Sequence, residues 1–162
     1  VHEGFDFAVR VGTIRDPALV ARNVGAIRGC LVASPEYADS HVLPTTPDEL
    51  HQHRHIEFAP HPPFSHTLRL HGPEGAMVDV PILGALRVNS FVVVREAVLE
   101  GLGIARLPTY LSGKLLAAKK LVPVLPGYWT GERSVYLVHT GRRLLPARVA
   151  LLLDFLATEL VP

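Results

Sequence analysis

One cysteine, Cys30, stands in a chain of 162 residues. A single thiol excludes an internal disulfide framework and fits a reducing compartment. Neither sign of charge is in excess. Sixteen basic residues against 15 acidic give a formal net charge of +1, which argues against a dedicated nucleic-acid surface on this chain. No apolar run approaches the roughly 18–20 residues that a membrane span requires, so no membrane partner is expected. The opening VHEGFDF lacks the layout of a signal peptide. An initiating Met is missing as well, and the chain reads as a cytoplasmic piece of something longer. Motifs of chemistry are also absent. There is no G-x-S-x-G elbow and no G-x-x-x-x-G-K-[ST] loop. Gly101-x-Gly103 lacks a third glycine and follows a helix, the reverse of a dinucleotide-binding turn.

What is present is enough apolar material for a core: 48% hydrophobic against 19% charged residues. That balance excludes disorder, and the length suits one ordinary domain or two small lobes. No internal repeat or low-complexity segment interrupts it.

Local patterns predict an α/β chain. Gly4 can close a preceding helix, and residues 5–11 then place Phe5, Phe7, Val9 and Val11 on one face at period two, ending at Gly12. Residues 19–24 and 29–33 are two further strand candidates. Ser34-Pro35 offers a hydroxyl cap with proline at the first helical position. Thr46-Pro47-Asp48-Glu49 forms a capping box, so a short helix should run through Leu50 into the histidines. Strands are expected over 56–59, 65–71, 77–81 and 82–88, with an irregular stretch around Pro60, Pro62 and Pro63.

The clearest unit follows. Asn89 or Ser90 caps a helix over 91–101, the glycines end it, and 104–107 is a short buried strand. This strand–helix–strand order implies a parallel sheet. A helix over 109–119, strands over 121–125 and 133–139, and a closing helix from Pro146 complete the chain. Val149, Leu152, Leu153, Leu156 and Leu160 fall on one stripe of that last helix.

Residues 51–66, HQHRHIEFAPHPPFSH, raise the possibility of a metal site. Histidines at alternate positions share a face only on a strand, whereas the Thr46 capping box predicts helix, on which His51 and His55 share a face and His53 does not. No Cys or carboxylate stands at zinc-finger spacing. His55-x-Glu57 is similar to the H-x-E of zinc deaminases, but no C-x-x-C follows. A polar surface turn is the preferred reading. Cys30, in an apolar strand, is expected to be a buried, inert thiol.

The pieces GFDFAVRVG (4–12), DPALVAR (16–22), LVASPEYADSH (31–41), TTPDEL (45–50) and REAVLEGLGIARLP (95–108), in this order and with the closing helix, resemble the effector-binding domain of LysR-type transcriptional regulators. The resemblance covers essentially the whole chain. It implies an α/β, two-lobed fold of the type 2 periplasmic-binding-protein kind with mixed sheets. Residues 1–26 and 134–162 would form a first lobe that lacks its first two strands, and 27–133 a second. It also implies a winged helix-turn-helix elsewhere, so that DNA is met only through that absent part, and assembly as a homodimer or homotetramer.

Candidate effector contacts follow. The helix after Asn89-Ser90 starts at the carboxyl end of a parallel sheet, where open α/β sheets bind ligands. Its free N–H groups and partial positive charge favour a carboxylate. Phe58-Ala59-Pro60-His61 leave the brief strand of the second lobe and should line the cleft, where Phe58 or His61 could pack on an aromatic or acidic effector. Val11-Gly12-Thr13 close the first strand, where the resemblance places effector contacts; Gly12 would let a ligand approach the backbone and Thr13 adds a hydroxyl. The expectation is a sensor that binds a small effector, favoured to be a carboxylate, between two lobes. It has no catalytic residue, no cofactor and no metal. The alternatives are a periplasmic-type solute-binding protein and a metal-dependent hydrolase built on the 51–66 histidines.

Overall fold

The computed structural model describes residues 5–59, 66–82, 84–140 and 146–159. Along the chain run β1 (Ala8–Val11), β2 (Leu19–Ala33), α1 (Pro35–Ser40), a 3-10 helix (Pro47–Gln52), β3 (His55–Phe58), β4 (Thr67–His71), β5 (Met77–Pro81) and β6 (Gly84–Val88). There follow α2 (Phe91–Leu99), β7 (Ile104–Pro108), α3 (Thr109–Ala117), β8 (Val122–Val124), β9 (Trp129–Thr140) and α4 (Ala147–Glu159). They fall into two compact units: Val1–Ile27 with Glu132–Pro162, and Arg28–Gly131. No helix among the described residues is long and apolar enough to cross a membrane.

In the first unit, β1 pairs antiparallel with β9, Ala8 opposite Val138 and Val11 opposite Val135. The helix α4 lays Val149, Leu153 and Ala157 against Val24 of β2 and Leu137 of β9, with Phe7, Val135 and Leu156 at the margin. Two expectations are corrected here. Regular pairing begins at Ala8, and of the four alternating apolar residues only Phe7 joins the core; Phe5, Val9 and Val11 are exposed. On α4 the buried stripe runs through Ala157, which leaves Leu152 exposed together with Leu151 and Phe155. Gly4 and Leu160 lie outside the described residues.

The second unit is a mixed sheet in the order β5-β4-β9-β2-β7-β3-β6, with β8 also on β2. The strand β3 pairs parallel with both β6 and β7, so the strand–helix–strand segment β6-α2-β7 does build a parallel layer. The strand β2 pairs antiparallel with β7, and β4 antiparallel with β5. Successive side chains of a strand point to opposite faces, and β2 serves two cores accordingly. Leu31 and Ala33 join Tyr37, Leu50, Leu70, Val80 and Ile104 on one face. Val32, flanked by Cys30, joins Ile56, Val94, Val98 and Leu107 on the other. A sheet covered on both faces buries near-continuous apolar strands, which is why 29–33 and 104–107 are legible as core.

The helix starts hold. Ser34 Oγ accepts the Tyr37 N–H at 3.1 Å with Pro35 at the first position, a cap that contributes about 1 kcal/mol. The Glu49 carboxylate accepts the backbone N–H groups of Thr45 and Thr46 at 2.7 and 3.3 Å, although the helix it starts is a 3-10 one and ends at Gln52. At the other end of α2, the N–H of Gly101 reaches Val98 O and that of Leu102 reaches Ala97 O. This is the Schellman pattern, with Gly101 in the left-handed region at φ +71°. The two strands expected over 19–24 and 29–33 are one continuous strand, and the strand expected from 133 begins at Trp129. Cys30 is half-buried, its Sγ 3.1 Å from Ser112 Oγ.

Candidate functional site

Because β3, β6 and β7 run parallel, their carboxyl ends share one edge of the second unit. Phe58-Ala59, Asn89-Ser90 and Leu107-Pro108 stand there, and the Ala59 N–H donates to Val88 O at 2.8 Å. The helix α2 starts from this edge. Ser90 is its N-cap residue, with extended backbone at φ −134°, ψ 124°. Its side chain makes no capping hydrogen bond among the described residues, so the first-turn N–H groups are not occupied by its Oγ. Asn89 beside it is exposed.

Phe58 is half-buried. Its ring stacks on Phe91 of α2, centroids 3.9 Å apart and planes 13° from parallel, and it also packs against the second core. The Arg106 guanidinium lies over Phe91, 5.8 Å from the ring centroid. Phe91 is thus engaged by an aromatic ring and a cation, and Arg106 is held near the start of α2. A positive side chain and a helix N-terminus at one strand edge suit a carboxylate.

The neighbouring strands add tight geometry. A Cβ on Gly29 would lie 2.2 Å from Thr130 Oγ1 and 3.2 Å from Arg106 Cγ, so glycine is required for these side chains to lie across β2. Thr130 Oγ1 is buried with no hydrogen-bond partner among the described residues, as is Glu57 Oε1. The other oxygen of Glu57, Oε2, accepts from Arg87 Nε at 3.0 Å, and Arg87 Nη2 lies 2.9 Å from His66 Nδ1.

Val11, Gly12 and Thr13 belong to the first unit, where the Gly12 N–H donates to Ser134 O at 2.8 Å. Of the second-unit candidates, Phe58, Ala59, Asn89 and Ser90 share one strand edge; Pro60 and His61 lie outside the described residues. Sequence reasoning missed Arg106 and Glu57. Arg106 did carry a signal, being the one charge inside an apolar run of β7 (Ile-Ala-Arg-Leu-Pro).

The histidines 51, 53 and 55 do not converge on a common point; each has a local partner. His51 Nδ1 bonds Asp48 O, His53 Nδ1 lies 3.0 Å from the Tyr37 hydroxyl, and His55 Nε2 donates to Leu50 O at 2.8 Å. His55 is buried, which corrects the surface-turn reading for that residue. Among the described residues no three His, Cys, Asp or Glu side chains are grouped as a metal would need.

The profile of the family described as "LysR substrate binding domain" matches residues 1–161. An uncharacterized HTH-type transcriptional regulator of Escherichia coli K12, YhjC, is 35% identical over 163 residues, covering 97% of this chain and 52% of that protein. Among solved structures, the regulatory domain of AphB from Vibrio vulnificus, treated with cumene hydroperoxide, is similar with a TM-score of 0.78 and 33% identity, over 95% of this chain and 75% of that one. The regulatory domain of CrgA, a LysR-type transcriptional regulator from Neisseria meningitidis, is similar with a TM-score of 0.85 and 28% identity, over 98% and 77%. The chain spans about half the length of the curated relatives it matches.

Proposed function

This chain belongs to the LysR substrate-binding domain family, and from that premise we propose that it senses a small carboxylate for a transcriptional regulator. Its mixed α/β architecture is that of the regulatory domains in the family, and its relatives are transcriptional regulators. The two units correspond, in this proposal, to the two regulatory lobes. The observation that carries the ligand chemistry is the start of α2. Its first-turn N–H groups have no side-chain cap from Ser90, and Arg106 is held over Phe91 at the same strand edge. A carboxylate there would gain the helix-terminal charge, the Ser90 hydroxyl and the guanidinium together.

Sensing needs no chemistry on the guest. The effector shifts a conformational equilibrium only by binding one state better than the other, and in the whole regulator that shift reaches a DNA-binding head. Thermal-shift titration of the protein with a panel of small carboxylates and their matched neutral amides tests this. Carboxylates are expected to raise the melting temperature and the amides not. Replacing Ser90 with alanine is expected to weaken the best carboxylate about tenfold, the loss of one charge-assisted hydrogen bond. Stabilisation by no carboxylate, or equally by acid and amide, would remove the proposal.

Assembly rests on α4. Leu151 is 71% and Phe155 58% exposed, one turn apart on the flank that faces away from Val149 and Leu153. A side chain of this size gains about 1.5–3 kcal/mol on full burial, and a second copy of the chain is the occupant proposed. Phe155→Glu is expected to convert a dimer to a monomer at tens of micromolar, read by light scattering coupled to size exclusion. A wild-type protein that is already monomeric there would exclude this contact.

A further inference from the structure

The effector reading leaves the histidine-rich segment unused, yet the fold sets His53 of that segment, together with His41, against one tyrosine and buries His55 two residues further on. Tyr37, on α1, is 3% exposed and belongs to the first core. Its ring stacks on His41 at 4.1 Å and 7°. Its hydroxyl meets His53 Nδ1 at 3.0 Å, just past the end of the 3-10 helix, and the two rings are tilted at 6.0 Å. Two residues on, at the start of β3, His55 is 3% exposed and ties Leu50 O through Nε2. Leu50 is itself fully buried on that 3-10 helix. Three elements, α1, the 3-10 helix and β3, are therefore fastened together through two imidazoles and a tyrosine hydroxyl.

We propose that His53 and His55, packed with Tyr37 and His41, form an acid-responsive latch: protonation loosens α1 and the 3-10 helix from the sheet of the second unit. With the tyrosine hydroxyl donating to Nδ1, His53 is neutral; a proton at Nδ1 forces that bond to reverse, the hydroxyl turning to accept, and places a charge in a half-buried site. His55 is already using Nε2 in a buried setting, so a second proton places a charge in the core.

The surrounding charges determine the direction. Burial lowers the pKa of His53, and repulsion from His55 and His41 lowers it further; Glu49 on the 3-10 helix opposes this. Burial likewise lowers that of His55, against the Leu50 carbonyl and Glu57 on β3. Glu57 is already engaged by Arg87. Arg54, between the two histidines in sequence, acts on Tyr37 in the direction opposite to burial, which raises its pKa. The strand β5, which packs against the 3-10 helix, presents Val78 and Val80 to this core, and its Asp79 is engaged by Arg69.

The sign follows from linkage. Unfolded histidine takes up its proton near about pH 6.5, above the folded values of both residues. Between those values the unfolded state binds more protons, so stability rises with pH. The contribution is fully present above about pH 6.5 and is lost as pH falls toward the folded pKa values. Each histidine can raise the unfolding constant by up to about tenfold per pH unit in that window.

Two measurements test this on the intact chain. In a histidine-resolved NMR titration of the wild type, His53 and His55 are expected to titrate below pH 6.5. Urea unfolding at pH 7.5 and 5.5 is then compared between the wild type and a variant carrying His53→Asn and His55→Gln. Asn Oδ1 can accept from Tyr37 where Nδ1 did, and Gln Nε2 can donate to Leu50 O, but neither titrates. As the pH falls over this interval the wild-type unfolding constant is expected to rise more than that of the variant, by up to about a hundredfold for the two histidines together. Equal rises, or either imidazole titrating at or above pH 6.5, overturn the latch. Should the double variant not fold, His53→Asn alone and the wild-type titration decide.

Discussion

Gly103→Ala is expected to cost about 3 kcal/mol or more of stability. Two independent effects add. Gly103 has φ +154°, where a side chain is strained, and a Cβ built there lies 2.4 Å from Arg54 O and 2.9 Å from Arg54 C. Both atoms are backbone, so no rotamer change relieves the contact. The same carbonyl accepts the Ile104 N–H at 2.8 Å, so moving it disturbs the start of β7 and its pairing with β3. Against a typical total of about 5–15 kcal/mol, this is a large share. Urea unfolding should show a lower midpoint at unchanged slope. Gly113 provides the contrast. It lies inside α3 with nothing within 4 Å of its Cβ position, and alanine there is expected to add about 0.5–1 kcal/mol. Equal effects at the two glycines would mean that the close approach to Arg54 does not exist in solution.

Leu50→Ala is the second large effect, expected at about 2–5 kcal/mol. The side chain is fully buried among Leu31, Leu70, Val80 and Ile104, strands drawn from four places in the chain. It sits on a 3-10 helix of six residues, too short to hold itself by its own hydrogen bonds, so packing decides whether that turn is formed at all. The loss should come with a second sign. Loosening the turn would expose His55 and relieve the burial that lowers its pKa, so the imidazole should titrate nearer its ordinary value even as it loses the Leu50 carbonyl. A variant that loses less than about 1 kcal/mol would show the site collapsing without a cavity.

Much of this fold is legible in the residue order, and the reasons are local. Ser34-Pro35 and Thr45-Thr46-Pro47 announce helix starts with side-chain chemistry completed within four residues. The end of α2 is announced by Gly101-Leu102-Gly103. What was not legible depends on partners far away in sequence. The strand β2 reads as two strands because Asn23, Gly25 and Arg28 break its apolar pattern, yet it is continuous; its second half, around Leu31, is held by β7 and β8. The last strand reads as beginning at Arg133, although it starts at Trp129, for the same reason: Trp129 and Thr130 pair with His71 and Leu70 of β4. His55 reads as polar surface because its satisfying group is a main-chain carbonyl, which no residue type advertises. At the candidate site, Asn89-Ser90 could be placed at a helix start from the order of elements. The Phe58–Phe91 stack and the guanidinium beside it join β3, α2 and β7, and only the fold brings those together.

The two units are built differently from the thread of the chain. One is a single uninterrupted run, Arg28–Gly131; the other is assembled from both ends, with Ala8 hydrogen-bonded across from Val138. A ribosome delivering the protein from its amino end therefore completes the uninterrupted unit first. At roughly 5–20 residues per second, the strand and helix that finish the other unit emerge a few seconds later. During that interval Phe7 and Val24 wait without Leu137, Val149 and Leu153, the residues that will cover them. The split unit is thus the last to be completed in biogenesis, and premature termination after residue 131 would leave Phe7 and Val24 without the residues that cover them.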